Sequence, residues 1–377
     1  MADAGTDAAA GGPGRSGGSE ILAVRRGGLA EVTLNRPAAL NALDLGMCRS
    51  LDAHLAAWQE DAAVRAVLVR GAGGRAFCAG GDVRTVWQAR RDGGAAAARR
   101  LGAEYFRTEY RLDRRVARFP KPYISVLDGI TMGGGAGISL HGSCRIVSER
   151  LALAMPETVL GLFPDIGASV FLNRCPGRIG CYLGLTGARL GAADALYCGL
   201  ATHYVPAGRL PELGEALAGL SWRSGAETDQ LDRLVADFAA VPGPAPLAER
   251  QAAIDRCFAG AGVEAILTAL ERESARPDGA WAEAALATLA RASPSSLKVT
   301  LRLIREGAGI AIEEALRTDY RVACRMLERE DFFEGVRAVL VDKDQAPHWH
   351  PATLAAVGDT EISFYFNSLG KDELTFP

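Results

Sequence analysis

The sequence has little of what marks membrane, metal-binding and nucleic-acid-binding proteins. It contains no run near the roughly 18 apolar residues that a membrane-spanning helix needs. None of its eight cysteines belongs to a CxxC pair, so no zinc knuckle is indicated. The net charge of −3, with scattered arginines, gives no electrostatic argument for nucleic acid or an anionic membrane surface. We therefore expect no metal, no nucleic acid and no membrane among its partners.

Secretion is also not indicated by the chain. It has no secretory apolar segment, and its eight cysteines do not form the dense framework of a small secreted domain. The thiols are therefore expected to be reduced, and Cys78 in particular to be a small buried hydrophobe. These features predict a cytoplasmic location.

Length and composition are those of a soluble globular protein that can bury a large core. The chain has 377 residues, of which 49% are hydrophobic and 23% charged. Residues 1–20 are rich in Gly, Ala and Ser and are predicted to be disordered. Residues 21–220 are predicted to form an α/β core that carries the active site, and residues 221–377 a helical region packed on that core.

Strand and helix patterns alternate in the first part of the chain. Apolar, β-branched runs predict a hairpin of Ile21–Val24 and Leu29–Leu34, and further strands at Val64–Val69, Pro122–Leu127 and Leu200–Val205. Residues 85–118 have the pattern of a long helix. From residue 226 onward the period is helical throughout, with a break at residues 241–244. This order predicts a mixed, largely parallel α/β core followed by helices.

Two strand–glycine–helix junctions stand out. The first is the run from Ala76 to Asp82, in which Asp82 is placed to cap the following helix, and the second is the run from Gly129 to Gly137. Glycine lets a substrate approach the backbone closely, and a helix start leaves N–H groups unpaired. Two such N–H groups from different loops can converge on one oxygen, that of a phosphate or of an acyl oxyanion. The alternative is two ordinary tight turns.

Two carboxylates follow among apolar and turn residues. Glu157 lies in the run Met-Pro-Glu-Thr and Asp165 in Phe-Pro-Asp-Ile-Gly. Each can be an acid/base group. The alternative is that both are solvated acids, with Asp165 serving as a helix cap. The five histidines form no triad or metal set: His141 and His203 lie in apolar contexts, and the pair that flanks Trp349 lacks a third ligand.

These segments resemble the crotonase, or enoyl-CoA hydratase/isomerase, superfamily. The similarity is carried by AFCAGGD at residues 76–82 and by GITMGGGAG at residues 129–137. The strings at 154–167 and 185–203, with a C-terminal part from Phe333 onward, are closer to a hydrolase branch of the superfamily. The resemblance covers about residues 20–377. It implies a fold of repeated β-β-α units with a helical C-terminal region, and an acyl-CoA thioester as the substrate.

The resemblance also assigns roles to residues. The N–H groups of Gly81 and Gly134 fall where the superfamily builds its oxyanion hole, and Glu157 and Asp165 fall at catalytic positions. Glu109, Gly134, Glu157 and Asp165 correspond to substrate-binding positions. Hydratases of the superfamily carry another glutamate where this chain has Gly137, so the departure favours hydrolysis over hydration.

The resemblance therefore implies hydrolysis of a short 3-hydroxyacyl-CoA in valine breakdown, with Glu157 as nucleophile or general base. Three alternatives stay open: a hydratase or isomerase, a hydrolase of another 3-hydroxyacyl-CoA such as 3-hydroxypropionyl-CoA, and a non-catalytic acyl-CoA-binding protein. No cofactor is expected, since coenzyme A is part of the substrate. A homo-oligomer is possible because members of the superfamily often form trimers.

Overall fold

The computed structural model describes residues 20–376 as nine strands and fifteen α-helices. The strands are β1 Ile21–Arg26, β2 Leu29–Leu34, β3 Ala66–Gly71, β4 Ala76–Cys78, β5 Tyr123–Leu127, β6 Ile130–Met132, β7 Cys144–Val147, β8 Ala152–Ala154 and β9 His203–Tyr204. The helices are α1 Leu45–Glu60, α2 Val83–Ala117, α3 Gly134–Leu140, α4 Ala168–Leu172, α5 Ile179–Thr186, α6 Ala192–Tyr197, α7 Leu210–Gly219, α8 Glu227–Phe238, α9 Pro246–Cys257, α10 Val263–Ser274, α11 Ala280–Leu289, α12 Pro294–Glu306, α13 Ile312–Met326, α14 Asp331–Val336 and α15 Asp359–Phe366.

The strands form two sheets. The larger has the order β1-β2-β3-β5-β7-β9, in which only the β1–β2 hairpin is antiparallel. The smaller is the parallel sheet β4-β6-β8. From β3 onward, consecutive strands alternate between the sheets, so β3, β5 and β7 in the large sheet are each followed by a strand of the small one. The strands of the small sheet therefore end side by side, at one edge.

That edge positions three loops. Gly80 and Gly81 follow β4, Gly133 and Gly134 follow β6, and the segment that contains Glu157 follows β8. Loops at the carboxyl ends of neighbouring parallel strands lie next to each other. Residues separated by about eighty positions in the chain are brought together in this way.

The helical C-terminal region is fixed to the third of these loops. A short 3₁₀ helix, Glu157–Leu160, carries Glu157 and packs against α14. Gly335 of α14 lies directly on the backbone of Leu160, where a Cβ atom at Gly335 would be 2.7 Å from the Leu160 Cα. Substitution by any larger residue would separate the two elements.

The structure confirms most of the predicted elements and corrects several. The hairpin and the C-terminal helices are present, whereas β6, β7 and β8 were not predicted because they have only three or four residues. The predicted strand Leu200–Val205 is confined to His203–Tyr204. Asp82 precedes α2, but the prediction that its side chain caps the helix is wrong: Asp82 Oδ2 instead accepts a hydrogen bond of 3.0 Å from Arg36.

The domain boundaries stay predictions. The expected disorder of residues 1–20 falls almost entirely outside the described residues. All nine described strands lie before residue 205, and helices account for the regular structure from residue 221 to residue 376. All eight cysteines are free, and Cys78 is buried, as expected. Over residues 20–376, no helix is long and apolar enough to cross a membrane.

Candidate active site

A cavity of about 470 Å³ opens at the edge where the small sheet ends. Its walls come from all three loops and from α2, and the C-terminal region closes one side with Val339 and Leu340. The five predicted site residues all line it: Gly81, Glu109, Gly134, Glu157 and Asp165. The structure therefore brings together every residue that the sequence singled out.

The amides of Gly81 and Gly134 lie close together. Leu43 pairs with the neighbours of Gly81: its N–H donates to the Gly80 carbonyl and its carbonyl accepts from Asp82 N–H, each at 2.8 Å. Because successive N–H groups of an extended chain point in opposite directions, the Gly81 N–H faces away from Leu43. Gly134 begins α3, where an N–H has no carbonyl one turn earlier. A Cβ atom on Gly134 would lie 3.4 Å from the Gly81 nitrogen.

Glu157 lies beside this pair of amides. Its Oε1 is 3.1 Å from the position that a Cβ atom on Gly133 would take. Gly133 has a φ of 47°, so this position favours glycine on two grounds. Glu157 is only 5% exposed, and its Oε2 has no hydrogen-bond partner among the described residues. Burial, and then the charge of Asp165, raises the pKa of Glu157 well above its ordinary value.

Asp165 has a hydrogen-bond donor that Glu157 lacks. The Tyr110 hydroxyl donates to Asp165 Oδ2 at 2.6 Å. Burial raises the pKa of Asp165 to about 6, and the Tyr110 hydrogen bond limits the rise because it favours the ionised form. Asp165 is therefore the most readily ionised carboxyl at the bottom of the cavity.

Glu109 reaches the cavity from α2. Its Oε1 accepts a hydrogen bond of 3.1 Å from the Tyr105 hydroxyl and lies against Gly134, where a Cβ atom would overlap it. Burial, and then the charge of Asp165, raises the pKa of Glu109 to about 8. The carboxyl of Glu109 is therefore mostly protonated at neutral pH.

Two further buried carboxyls, which sequence reasoning missed, lie behind the cavity. Asp113 follows Glu109 by one turn of α2, is fully buried, and has no hydrogen-bond partner in residues 20–376 for either oxygen. Asp319 of α13 accepts a hydrogen bond of 2.7 Å from Gly167 N–H, in the Asp165 loop. Burial raises the pKa of both groups well above the ordinary value. The spacing of Glu109 and Asp113, four residues apart on one helix face, was the available signal for Asp113.

His141 supports the Asp165 loop rather than the chemistry. Its Nε2 lies 2.7 Å from the carbonyl of Ile166, a residue with a φ of 57°. Burial lowers the pKa of His141 to about 4, so the ring is neutral. His141 is therefore a partly buried core histidine whose ring is satisfied by the Ile166 carbonyl.

Comparison with known proteins identifies relatives along nearly the whole chain. The model of the enoyl-CoA hydratase/isomerase family matches residues 29–366. The mitochondrial 3-hydroxyisobutyryl-CoA hydrolase of Xenopus tropicalis is 43% identical, over 94% of this chain and 90% of its own length. The 3-hydroxyisobutyryl-CoA hydrolase 1 of Arabidopsis thaliana is also 43% identical, over 95% and 94%.

Among solved structures, a carnitinyl-CoA dehydratase from Mycobacterium thermoresistibile superposes with a TM-score of 0.84 at 41% identity, over 95% of this chain and 98% of its own. This neighbour confirms the predicted β-β-α fold with its helical C-terminal region.

The predicted location is contradicted by one of these relatives. The cytoplasmic location expected from the sequence is wrong in light of the vertebrate relative, which is named mitochondrial. The argument from free cysteines separates reducing from oxidising compartments, but it does not distinguish one reducing compartment from another.

Proposed function

This chain belongs to the enoyl-CoA hydratase/isomerase, or crotonase, family, and we propose that it hydrolyses the thioester of 3-hydroxyisobutyryl-CoA. The products are 3-hydroxyisobutyrate and free coenzyme A. The relatives named as hydrolases of this thioester, at 43% identity over most of their length, support this assignment and confirm an acyl-CoA thioester hydrolase. The structural observation that carries the proposal is the Glu157 carboxyl beside the amides of Gly81 and Gly134.

In this proposal the two amides form an oxyanion hole. The thioester carbonyl oxygen accepts hydrogen bonds from the N–H groups of Gly81 and Gly134, which strengthen as negative charge develops on that oxygen. Removal of one such donor typically raises the barrier by about 3–4 kcal/mol. The crowding at Gly81, where a Cβ atom would lie 3.2 Å from the Tyr105 ring, supports a site that depends on backbone donors.

Glu157 starts the hydrolysis at the thioester carbonyl carbon, by one of two routes. Either its carboxylate adds to the carbonyl carbon, expels the thiolate and forms an anhydride that water then cleaves, or it takes a proton from a water that attacks directly. Both routes consume one water and release one acid and one thiol. A buried carboxyl whose pKa is raised is a stronger base, once ionised, than one in water.

Asp165 and Glu109 orient the substrate in this account. Asp165, ionised above about pH 6, accepts a hydrogen bond from the substrate 3-hydroxyl or from the attacking water. Glu109, whose pKa is about 8, presents a protonated carboxyl that donates to the polar end of the acyl group. The carboxyl groups at the closed end of the cavity disfavour a further carboxylate beside them. The 3-hydroxyisobutyrate product is therefore repelled once it ionises.

Hydration of an enoyl-CoA is the competing function, since the solved neighbour is named a dehydratase. It would require a second acid/base carboxylate at the position where hydratases of the family carry one. By family resemblance that position is Gly137, and the nearest carboxyl, Asp113, does not line the cavity. Hydrolysis needs only Glu157 and the paired amides, and is therefore the better supported reaction.

The finer assignments are part of the same proposal. We place the reaction in valine breakdown, without a cofactor and with homo-oligomer formation possible. A hydrolase of 3-hydroxypropionyl-CoA differs only in the acyl methyl group, so a comparison of kcat/KM for the two thioesters decides the preference. Equal values would show that the cavity does not select the methyl group.

The test of Glu157 follows free thiol from 3-hydroxyisobutyryl-CoA with the wild type and Glu157→Gln. Glu283→Gln, an exposed glutamate on α11, is the matched control. We expect loss of thiol release only in Glu157→Gln. Single-turnover hydrolysis in oxygen-18 water then tests the anhydride: label in Glu157 indicates that route, whereas direct attack by water places the label only in the product acid.

A further inference from the structure

The cavity is lined by acidic residues at its closed end and by basic residues at its mouth. Its floor contains three buried carboxyl side chains, those of Glu109, Glu157 and Asp165. Among the described residues that line it, Arg189 and Arg291 are the two that are exposed, and they are its only cationic residues. The arginines therefore mark the mouth, and the carboxyls mark the closed end.

Both arginines are free to bind an anion. The ion pairs of residues 20–376 leave both guanidinium groups without a carboxylate partner. An exposed arginine that lines a cavity and neutralises no acid of its own chain has N–H donors available, in a planar arrangement that fits phosphate oxygens.

Arg291 is held in place by the C-terminal segment. Its Nη2 donates to Gln345 Oε1 at 2.9 Å, and its carbonyl accepts from Trp349 Nε1 at 3.0 Å. Arg337 fixes the same segment, with hydrogen bonds of 2.7 Å to Asp342 and 2.6 Å to Asp344. The side chain at the mouth is therefore oriented before any ligand arrives, which lowers the entropy lost on binding.

Arg189 is fixed through its backbone. Leu190, the next residue, exchanges two hydrogen bonds with Leu153 in an antiparallel bridge, of 2.8 and 3.0 Å. Two residues earlier, a Cβ atom on Gly187 would lie 2.9 Å from the Cα of Pro156, so the loop packs beside Glu157. One arginine therefore comes from the α/β part of the chain and the other from the helical region.

We propose that Arg189 and Arg291 bind the phosphate groups of the coenzyme A portion of the substrate and so set the direction in which the thioester enters. This inference rests on the proposed function. An acyl-CoA is uncharged at its reacting end and strongly anionic at its nucleotide end, which matches the charge of the cavity from floor to mouth. The reverse orientation would place phosphates among carboxyls.

The test compares two substrates that differ at the nucleotide end. 3-Hydroxyisobutyryl-CoA and the pantetheine thioester of the same acid share the acyl group and the pantetheine arm, but the second lacks every phosphate and the adenosine that they join. We expect Arg189→Gln and Arg291→Gln each to raise KM for the CoA thioester about tenfold, the lower end for a charged hydrogen bond, with kcat unchanged. KM for the pantetheine thioester stays as in the wild type.

Two controls isolate the charge. Arg189→Lys and Arg291→Lys keep the cation, so part of the affinity for the CoA thioester returns. Arg272→Gln removes an exposed arginine of α10 that does not line the cavity, and changes neither KM. In the wild type, KM for the CoA thioester rises with ionic strength, and this rise is smaller in the double glutamine variant.

The result that overturns the inference is a KM for the CoA thioester that stays at the wild-type value in both glutamine variants, or that rises equally for the two thioesters. Either outcome leaves the proposed function intact if the wild type releases thiol. Absence of thiol release from the wild type contradicts the proposed function itself.

Discussion

The Oδ1 atom of Asp113 lies 2.6 Å from the position that a Cβ atom on Gly137 would take. The other two atoms of the carboxyl group are also close, at 3.0 and 3.1 Å. Asp113 on α2 thus fills, from the opposite side, the space into which a side chain at position 137 would project. Position 137 therefore has no room for a second carboxylate, because Asp113 of α2 packs against the backbone of α3 there.

Gly137→Ala is expected to destabilise the protein by about 1–3 kcal/mol, as overpacking of a core does. Asp113→Ala in the same chain removes the overlap, so the double variant recovers stability relative to Gly137→Ala. The measurement is the urea midpoint of the four chains of this double-mutant cycle. Gly214→Ala on α7, where no atom lies within 4 Å of the added Cβ, is the control and is not destabilised. Additive effects of the two substitutions would contradict the close contact.

Asp113→Asn is expected to stabilise the protein increasingly as pH rises. The pKa of Asp113 is raised in the folded state, so above about pH 4 the unfolded chain ionises while the folded chain keeps the proton. Wild-type stability therefore falls with pH by up to about 1.4 kcal/mol per unit from this group, and Asn lacks this loss. Denaturant unfolding at pH 5, 6 and 7 measures the difference. Parallel stability curves for the two chains would show that Asp113 is ionised in the fold.

Tyr110→Phe is expected to move the acid limb of the activity profile to higher pH. The Tyr110 hydroxyl stabilises ionised Asp165, whose pKa is about 6, so loss of that donor raises this pKa further. The measurement is kcat/KM for thiol release between pH 5 and pH 9. Asp165→Asn, which cannot ionise, is the reference chain in which the contribution of Asp165 to this limb is absent. An unshifted limb in Tyr110→Phe would mean that Asp165 does not control it.

The site could be predicted to a large extent because its parts are local in sequence. Gly81 and Gly134 each lie in a strand–glycine–helix run, and Glu157 and Asp165 lie in short runs with Pro. Their convergence follows from strands of three residues that end at one edge, and such short strands have too few side chains to show a period.

The buried residues behind the site were not predictable in the same way. Asp113 and Asp319 have ordinary helical contexts in the sequence, and a charged residue on a helix is usually solvated. Only the packing of α2 and α13 on the site shows that both are buried. Asp82 illustrates the opposite case: its position before α2 is that of a cap, but Arg36, 46 residues earlier in the chain, takes its carboxylate.

Glu157→Gln is expected to be less active and more stable than the wild type. Thiol release falls by about 10²- to 10⁴-fold, as for loss of a general acid or base. Above about pH 5 the free energy of unfolding of Glu157→Gln exceeds that of the wild type. The folded wild type must keep a buried carboxyl of raised pKa, whose Oε2 has no hydrogen-bond partner among the described residues, whereas the amide of the variant is neutral at every pH. The thermal midpoint at pH 8 is the measurement. A lower midpoint than that of the wild type would indicate that the carboxyl stabilises the fold.

The most direct test of the central claim is a paired assay on one purified sample. One arm follows free thiol released from 3-hydroxyisobutyryl-CoA, and the other follows the enoyl absorbance of crotonyl-CoA. The account predicts thiol release that is lost in Glu157→Gln, and no loss of enoyl absorbance. Hydration of crotonyl-CoA without thiol release would contradict it, and would mean that another acid replaces the one missing at Gly137.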